Sequence, residues 1–235
     1  RDEFVGTVQV NKEHVFLIPD SNKMVVDIYI PKTKLNSAVD GQKAIARLTS
    51  WEADKKSPRG EIIEVLGDSG DNNTVMHSIL HEYELPYDFP QEVIDESEAI
   101  SNIITEEEIT KRRDMRGVLT FTIDPDTAKD FDDALSVEWV DGKIRVGVHI
   151  ADVSHYLKEG TVLDREAFER GTSVYLVDRC VPMLPERLSN GLCSLVPNED
   201  RLCYSAIFTL DSRGTIEEEW FGRTIIHSDA RLTYE

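Results

Sequence analysis

Short apolar stretches, the first of them alternating with polar residues, recur between turn residues along the first eighty or so positions and read as extended chain. Phe4-Val-Gly-Thr-Val-Gln-Val10 alternates, and Asn11-Lys-Glu13 turns the chain. Val15-Phe-Leu-Ile18 and Val26-Asp-Ile-Tyr-Ile30 follow, each stopped by a proline, Pro19 and Pro31. Lys43–Leu48 and Glu61–Leu66 complete a set of short strands separated by turn residues, which predicts a small barrel. The pattern then breaks at Asp68-Ser-Gly-Asp-Asn-Asn73. Leu85-Pro-Tyr-Asp-Phe-Pro90 reads as stiff and extended, because a proline excludes helical backbone from the residue before it. A helix is expected from Gln91 to about Asn102. A second is expected from Thr105, where Thr105 and Glu108 form a capping box. Lys111, Arg112 and Arg113 lie toward its C-terminal end, where cations suit the helix dipole.

From Val118 strands and helices mix. Strands are expected at Leu119–Ile123 and Ala134–Trp139, with Asp141-Gly142 turning into Ile144–Val153. A helix from Leu163 to Arg170 stops at Gly171. Ser173–Val177, a proline-punctuated loop at Val181–Asn190, and a hairpin of Leu202–Leu210 with Thr215–Ile226 about Asp211-Ser-Arg-Gly214 complete the pattern. The expected class is α+β. An OB-type (oligonucleotide-binding) barrel spans 1–70, an acidic helical connector 71–117, and a mixed α/β domain 118–235. On the barrel, Phe16 and Tyr29 could stack bases while Lys32 and Lys34 touch phosphates. Core aromatics beside solubilising lysines explain the same residues equally well.

Composition adds limits. The 40% hydrophobic content indicates a folded core rather than disorder. No apolar run has membrane-spanning length, and no signal segment opens the chain, so no membrane partner is expected. The chain starts at Arg1 without an initiator Met and stops at Glu235, which suggests a segment of a longer protein. Cys180, Cys193 and Cys203 form no CxxC pair and read as reduced thiols of a cytoplasmic protein, with no spacing that supports zinc. The net charge of −19 argues against a nucleic-acid partner. Much of it is local, however. Glu92, Asp95, Glu96, Glu98, Glu106, Glu107 and Glu108 follow one another with no intervening Lys or Arg, as on a solvated helix face.

The strongest chemical signal is Asp124-Pro-Asp-Thr-Ala-Lys-Asp-Phe-Asp-Asp133. Carboxylates this dense raise one another's pKa unless a counter-charge is present. Oxygen-only donors suit Mg²⁺ or Mn²⁺. Asp130 and Asp132 can share one face of an extended segment, and Pro125 leaves Asp124 at a strand end facing the loop. One arrangement has Asp124, Asp130 and Asp133 holding metal, with Asp132 binding metal or orienting the attacking water. A solvated acidic loop and a structural Ca²⁺ site also fit the bare residues, although the EF-hand register fails at Lys129 and Leu135. No serine elbow or Cys/His pair offers a covalent nucleophile. His149, in an apolar strand, reads as a hydrogen-bonded structural histidine, and Tyr175 as a packed strand residue. Arg201 either contacts RNA or pairs with an acidic neighbour.

Thr122-Ile-Asp-Pro-Asp-Thr-Ala-Lys-Asp-Phe-Asp-Asp-Ala134 resembles the catalytic signature of the ribonuclease II/R (RNB) exoribonucleases. Long blocks support the likeness: Arg112–Arg116, Gly147–Tyr156, Leu163–Ala167, Arg170–Leu176 and Pro182–Leu195. Gly60–Gly67 and Asp27–Pro31 resemble the second cold-shock domain of the family's bacterial ribonuclease R branch. The resemblance implies a processive hydrolase that releases nucleoside 5′-monophosphates from single-stranded RNA 3′ ends. It implies Mg²⁺, with Mn²⁺ as a substitute. It places metal at Asp124, Asp130 and Asp133, makes Asp132 the acid most critical for turnover, and makes Tyr175 a base-stacking aromatic. It also implies that the later half of the catalytic domain, with an arginine, a further acid and a trailing S1 domain, lies outside this sequence. The segment alone is therefore expected to be weak or inactive. The alternative is a non-catalytic RNA-binding module with a structural cation loop.

Overall fold

The computed structural model describes residues 2–52, 56–86 and 88–234. Two compact units emerge, Arg1–Tyr87 with Leu176–Asp178, and Asp88–Tyr175 with Arg179–Glu235.

The first unit contains a closed barrel of β1 (Glu3–Val10), β2 (Val15–Pro19), β3 (Ile28–Ile30), β4 (Gln42–Ser50) and β5 (Arg59–Asp68), in the order β1-β2-β3-β5-β4. Alternation puts Phe4, Val8, Val15, Leu17, Ile28, Ile30, Ala44, Ala46 and Ile62 inside. The barrel is as expected, but β3 is shorter. Val26 packs against the core from irregular chain, outside the ladder. A helix that the pattern did not indicate, α1 (Asn72–Glu82), follows β5. The turn-rich run ahead of it ends in a cap: the Asp71 carboxylate accepts from the Thr74 amide at 3.1 Å. The extended segment expected at 85–90 includes Tyr87, which lies outside the described residues.

In the second unit, α2 (Gln91–Ala99) and α3 (Glu106–Thr110) precede β6 (Arg113–Asp114). Thr105 caps α3 through the Glu108 amide. A mixed seven-stranded sheet follows in the order β14-β7-β8-β9-β12-β13-β6. Its other strands are β7 (Thr120–Asp124), β8 (Asp133–Val140), β9 (Lys143–Ala151), β12 (Asp200–Leu210), β13 (Ile216–His227) and β14 (Ala230–Thr233). Asp141 and Gly142 both have positive φ, as the tight β8–β9 turn requires. The expected helix appears as α5 (Val162–Arg170), behind the single turn α4 (Val153–Tyr156). The strand expected at 173–177 is confined to β10 (Val174–Tyr175), paired with β11 (Cys180–Val181). The proline-punctuated loop holds a π-helical segment, Arg187–Leu192. The flanking strands β6 and β14, both in parallel pairs, were not expected.

One face of this sheet is covered. Val93, Leu163, Leu188 and Leu195 pack there on Ala134, Cys203, Ile207 and Ile226. Register puts Ile123, Trp139, Ile150, Tyr204, Phe221 and Leu232 on the opposite face, where all are exposed, Trp139 to 73%. No helix among the described residues is long and apolar enough to cross a membrane.

Candidate active site

Strands β7 and β8 are antiparallel neighbours, so the acidic loop between them sits at one end of the sheet. Asp124 is the last residue of β7 and Asp133 the first of β8. The loop is irregular and is held by bonds from distant chain. The buried Ser194 hydroxyl donates to the Lys129 carbonyl at 3.0 Å and accepts from the Phe131 amide at 3.0 Å. The Leu195 amide donates to the Phe131 carbonyl at 2.8 Å, and the Ala151 amide to the Asp132 carbonyl at 3.0 Å. From β14, the Arg231 guanidinium donates to the carbonyls of Pro125 and Asp126 and lies over the Phe131 ring, 5.1 Å from its centre. Tyr175 donates its phenolic proton to Asp130 Oδ2 at 2.6 Å.

The expected site aspartates thus come from one loop and feel one another's charge. Burial, and then the charges of Asp133 and Asp130, push the Asp124 carboxyl above its ordinary range, with Arg231 opposing. Among the described residues, its Oδ2 is buried without a hydrogen-bond partner. Asp132 is exposed. Lost hydration is the largest cause of its upward shift, followed by the charges of Asp130, Asp133 and Asp124. The donors fit a hard divalent ion in kind: carboxylate oxygens alone, one orphaned, in a field short of positive charge. They are not gathered into a ready-made cage. Among the described residues, no three His, Cys, Asp or Glu side chains stand close enough to hold one ion.

Other expected residues fall into place. His149 is fully buried, with its ring nitrogens 2.6 Å from Ser205 Oγ and 2.8 Å from Ser136 Oγ; Ser205 bonds onward to Thr224 at 2.5 Å. Gly147 makes room, since a Cβ there would collide with Ser136 and the His149 ring. Burial lowers the His149 pKa to about 4, so the ring is neutral and structural. Arg201 pairs with Glu199 at 2.8 Å and donates to the Ser194 carbonyl at 2.8 Å. Cys193 lies near Asp132, and burial pushes its thiol up to about 12, which makes it a poor nucleophile. Arg112 does more than end a helix. Its buried guanidinium pairs with Glu108 at 2.7 Å and Asp152 at 2.8 Å.

Phe16 and Tyr29 are half-buried rather than exposed. They meet edge to face at 5.8 Å, with His14 beside both and Arg59 over Tyr29 at 5.4 Å. Lys34 is engaged with Glu61 at 2.8 Å.

Sequence reasoning missed Ser194 and Arg231. The one available signal for Ser194 was a hydroxyl within the apolar run Leu192-Cys-Ser-Leu195. Arg231 reaches the loop through a parallel pairing in which it opposes Thr122, and no local pattern announces that.

Comparison with known proteins gives a consistent picture. The RNB domain model matches residues 112–235, and a cold shock domain model matches 16–90. Ribonuclease R of Thermotoga maritima is 43% identical over 223 residues, covering 94% of this chain and 31% of that protein. Ribonuclease R of Aquifex aeolicus is 40% identical over 235 residues, covering 100% of this chain and 33% of that protein. The chain therefore spans about a third of the length of these curated relatives. Mycoplasma genitalium RNase R in complex with double-stranded RNA superposes with a TM-score of 0.91 at 26% identity, covering 100% of this chain and 41% of that one. Yeast Ssd1, a pseudonuclease, shares the fold alone, with a TM-score of 0.73 at 23% identity over 99% of this chain and 30% of its own.

Proposed function

The chain belongs to the RNB-domain family, and from that premise we propose that it supplies the acidic half of a hydrolytic, processive 3′→5′ exoribonuclease site acting on single-stranded RNA. The observation that carries this reading is the aspartate loop itself. Its four carboxylates lie in one field, Asp124 and Asp132 are pushed upward, and Asp124 Oδ2 is orphaned.

Nucleases of this family generally use a divalent metal. Asp124, Asp130 and Asp133 would hold Mg²⁺, or Mn²⁺ in its place. When bound, the ion would neutralise phosphoryl oxygens and acidify a water. Asp132 would be the catalytic residue: an exposed carboxylate with a raised proton affinity would orient the attacking water and take up its proton. Tyr175, 66% exposed, offers a ring face to a terminal base. In the barrel, Phe16 and Tyr29 present a sequence-tolerant aromatic surface, with Arg59 supplying positive charge.

A non-catalytic RNA-binding module is the second reading, because the same fold occurs in a pseudonuclease. The intact aspartate set favours the first. The deciding experiment grafts this chain in place of the matching segment of the Thermotoga maritima relative, then supplies 3′-tailed RNA and Mg²⁺. We expect the graft to release mononucleotides and Asp132→Asn to lower that rate at least a hundredfold. This chain alone should be weak or inactive. Equal release by graft and variant would remove Asp132 from the mechanism.

A further inference from the structure

We propose that Asp130 is held in a ligand's position from two sides by residues outside the acidic motif, the Ser194 hydroxyl and the Tyr175 phenol, so that Tyr175 is a positioning residue of the cation site as well as a base platform. The proposal rests on the reading of this loop as a divalent-cation site.

An aspartate on irregular chain has free backbone and side-chain torsions, and fixing them costs conformational entropy. A cation that had to impose that order would bind correspondingly weakly. Here the order is already present. Residue 130 lies between the two backbone groups that Ser194 engages, the carbonyl of Lys129 and the amide of Phe131, each at 3.0 Å. One fully buried hydroxyl, used as both donor and acceptor, does for this turn what a neighbouring strand does in a ladder. The Leu195 amide extends the same hold to the Phe131 carbonyl.

The side chain is held separately. Tyr175 stands opposite Cys180 on the β10–β11 pair and donates to Oδ2 of Asp130 at 2.6 Å. That bond engages one carboxylate oxygen and leaves Oδ1 available as a donor. Outer partners of metal-bound carboxylates act in this way, orienting the ligand through the atom the metal does not use. Burial does not account for the contact, because the Tyr175 side chain is largely exposed. A ring that receives a terminal base while its hydroxyl steadies a cation ligand would tie arrival of the RNA end to the geometry of the metal.

The test is Mn²⁺ binding to this chain, followed by electron paramagnetic resonance well below the unfolding temperature, for wild type, Tyr175→Phe and Ser194→Ala. Backbone amide exchange at residues 129–131 is measured without metal. Tyr175→Phe keeps the ring and removes only the hydroxyl. It should weaken Mn²⁺ at least tenfold, leave Tm unchanged, and speed exchange at Asp130 and Phe131. Ser194→Ala should weaken Mn²⁺ as well. Should it fail to fold, the exposed Tyr175→Phe change still decides. Wild-type Mn²⁺ affinity in Tyr175→Phe overturns the proposal. If wild type itself binds no Mn²⁺ at millimolar concentration, the cation reading fails on its own account. The hold on Asp130 is then judged by exchange, and unchanged protection in both variants rejects it.

Discussion

Two polar clusters in the second unit differ in how completely they are satisfied. Ser136, His149, Ser205 and Thr224 form a buried chain across four strands, in which both ring nitrogens of His149 have partners. The acidic loop keeps its backbone well bonded, yet among the described residues it leaves Asp124 Oδ2 without a partner, and four carboxylates share one field. A satisfied buried network fixes which strands pair and in what register. An unsatisfied, like-charged one destabilises the fold and persists because something else completes it. The distinction, rather than residue type, separates the structural histidine from the candidate catalytic aspartate.

The sharpest break of the comparison is His149→Leu. It takes a partner from each of two buried serine hydroxyls, each worth about 1–3 kcal/mol when left unmade. A loss of about 3 kcal/mol or more in urea unfolding is expected. A change under half that would mean the network is not a structural brace. Acid should act on the same residue. The folded pKa of His149, about 4, lies below its unfolded value of 6.5. Between those values the unfolded state binds the extra proton, so stability falls as pH drops from 6.5 toward 4, by up to about 3 kcal/mol. His149→Leu should flatten that part of the pH profile. The barrel's aromatic cluster, half-buried, lies between the two extremes. Tyr29→Ala should weaken single-stranded RNA binding by about 1–3 kcal/mol in a fluorescence titration. Unchanged affinity would return Phe16 and Tyr29 to a packing role.

How far the sequence could carry this reading depended on the range of the interactions involved. The near-alternation of Phe4–Val10 and the short apolar run Val15–Ile18, bounded by turn residues, are local signals, and they located barrel strands to within a residue or two. The acidic run was equally plain, because its chemistry lies in consecutive residues. The helix α1 was obscured because its cap, Asp71, belongs to a run that also reads as a turn. The parallel strand β14 was invisible, since its partner β7 precedes it by about a hundred residues. Long sequence separation also hid Arg231, 105 and 106 residues from its loop partners, and Ser194, 63 and 65 residues from its own. The motif therefore showed which residues carry charge, but not what holds them still. For Arg201, the structure shows the pairing with an acidic neighbour, Glu199 at 2.8 Å, which the sequence left open.

The smallest expected effect is also the one that tests the comparison most directly. Removing charge from a satisfied cluster should destabilise; removing it from an unsatisfied one should stabilise. Asp132 has a folded pKa above its ordinary value, so its ionised form is disfavoured in the fold relative to the unfolded chain. The sign is opposite to that of a salt-bridged carboxylate: the penalty is absent at low pH and appears as pH rises through the folded pKa. Asp132→Asn should thus raise Tm of the metal-free chain at pH 7, by about one or two degrees given solvent screening at an exposed side chain. Saturating Mg²⁺ should reverse the order, because a ligand that binds only the folded state stabilises it in proportion to the logarithm of its excess over Kd. Wild type would gain and Asp132→Asn would gain less. Melting curves with and without Mg²⁺ that fail to cross would show that the loop's unpaired charge is not kept for a cation.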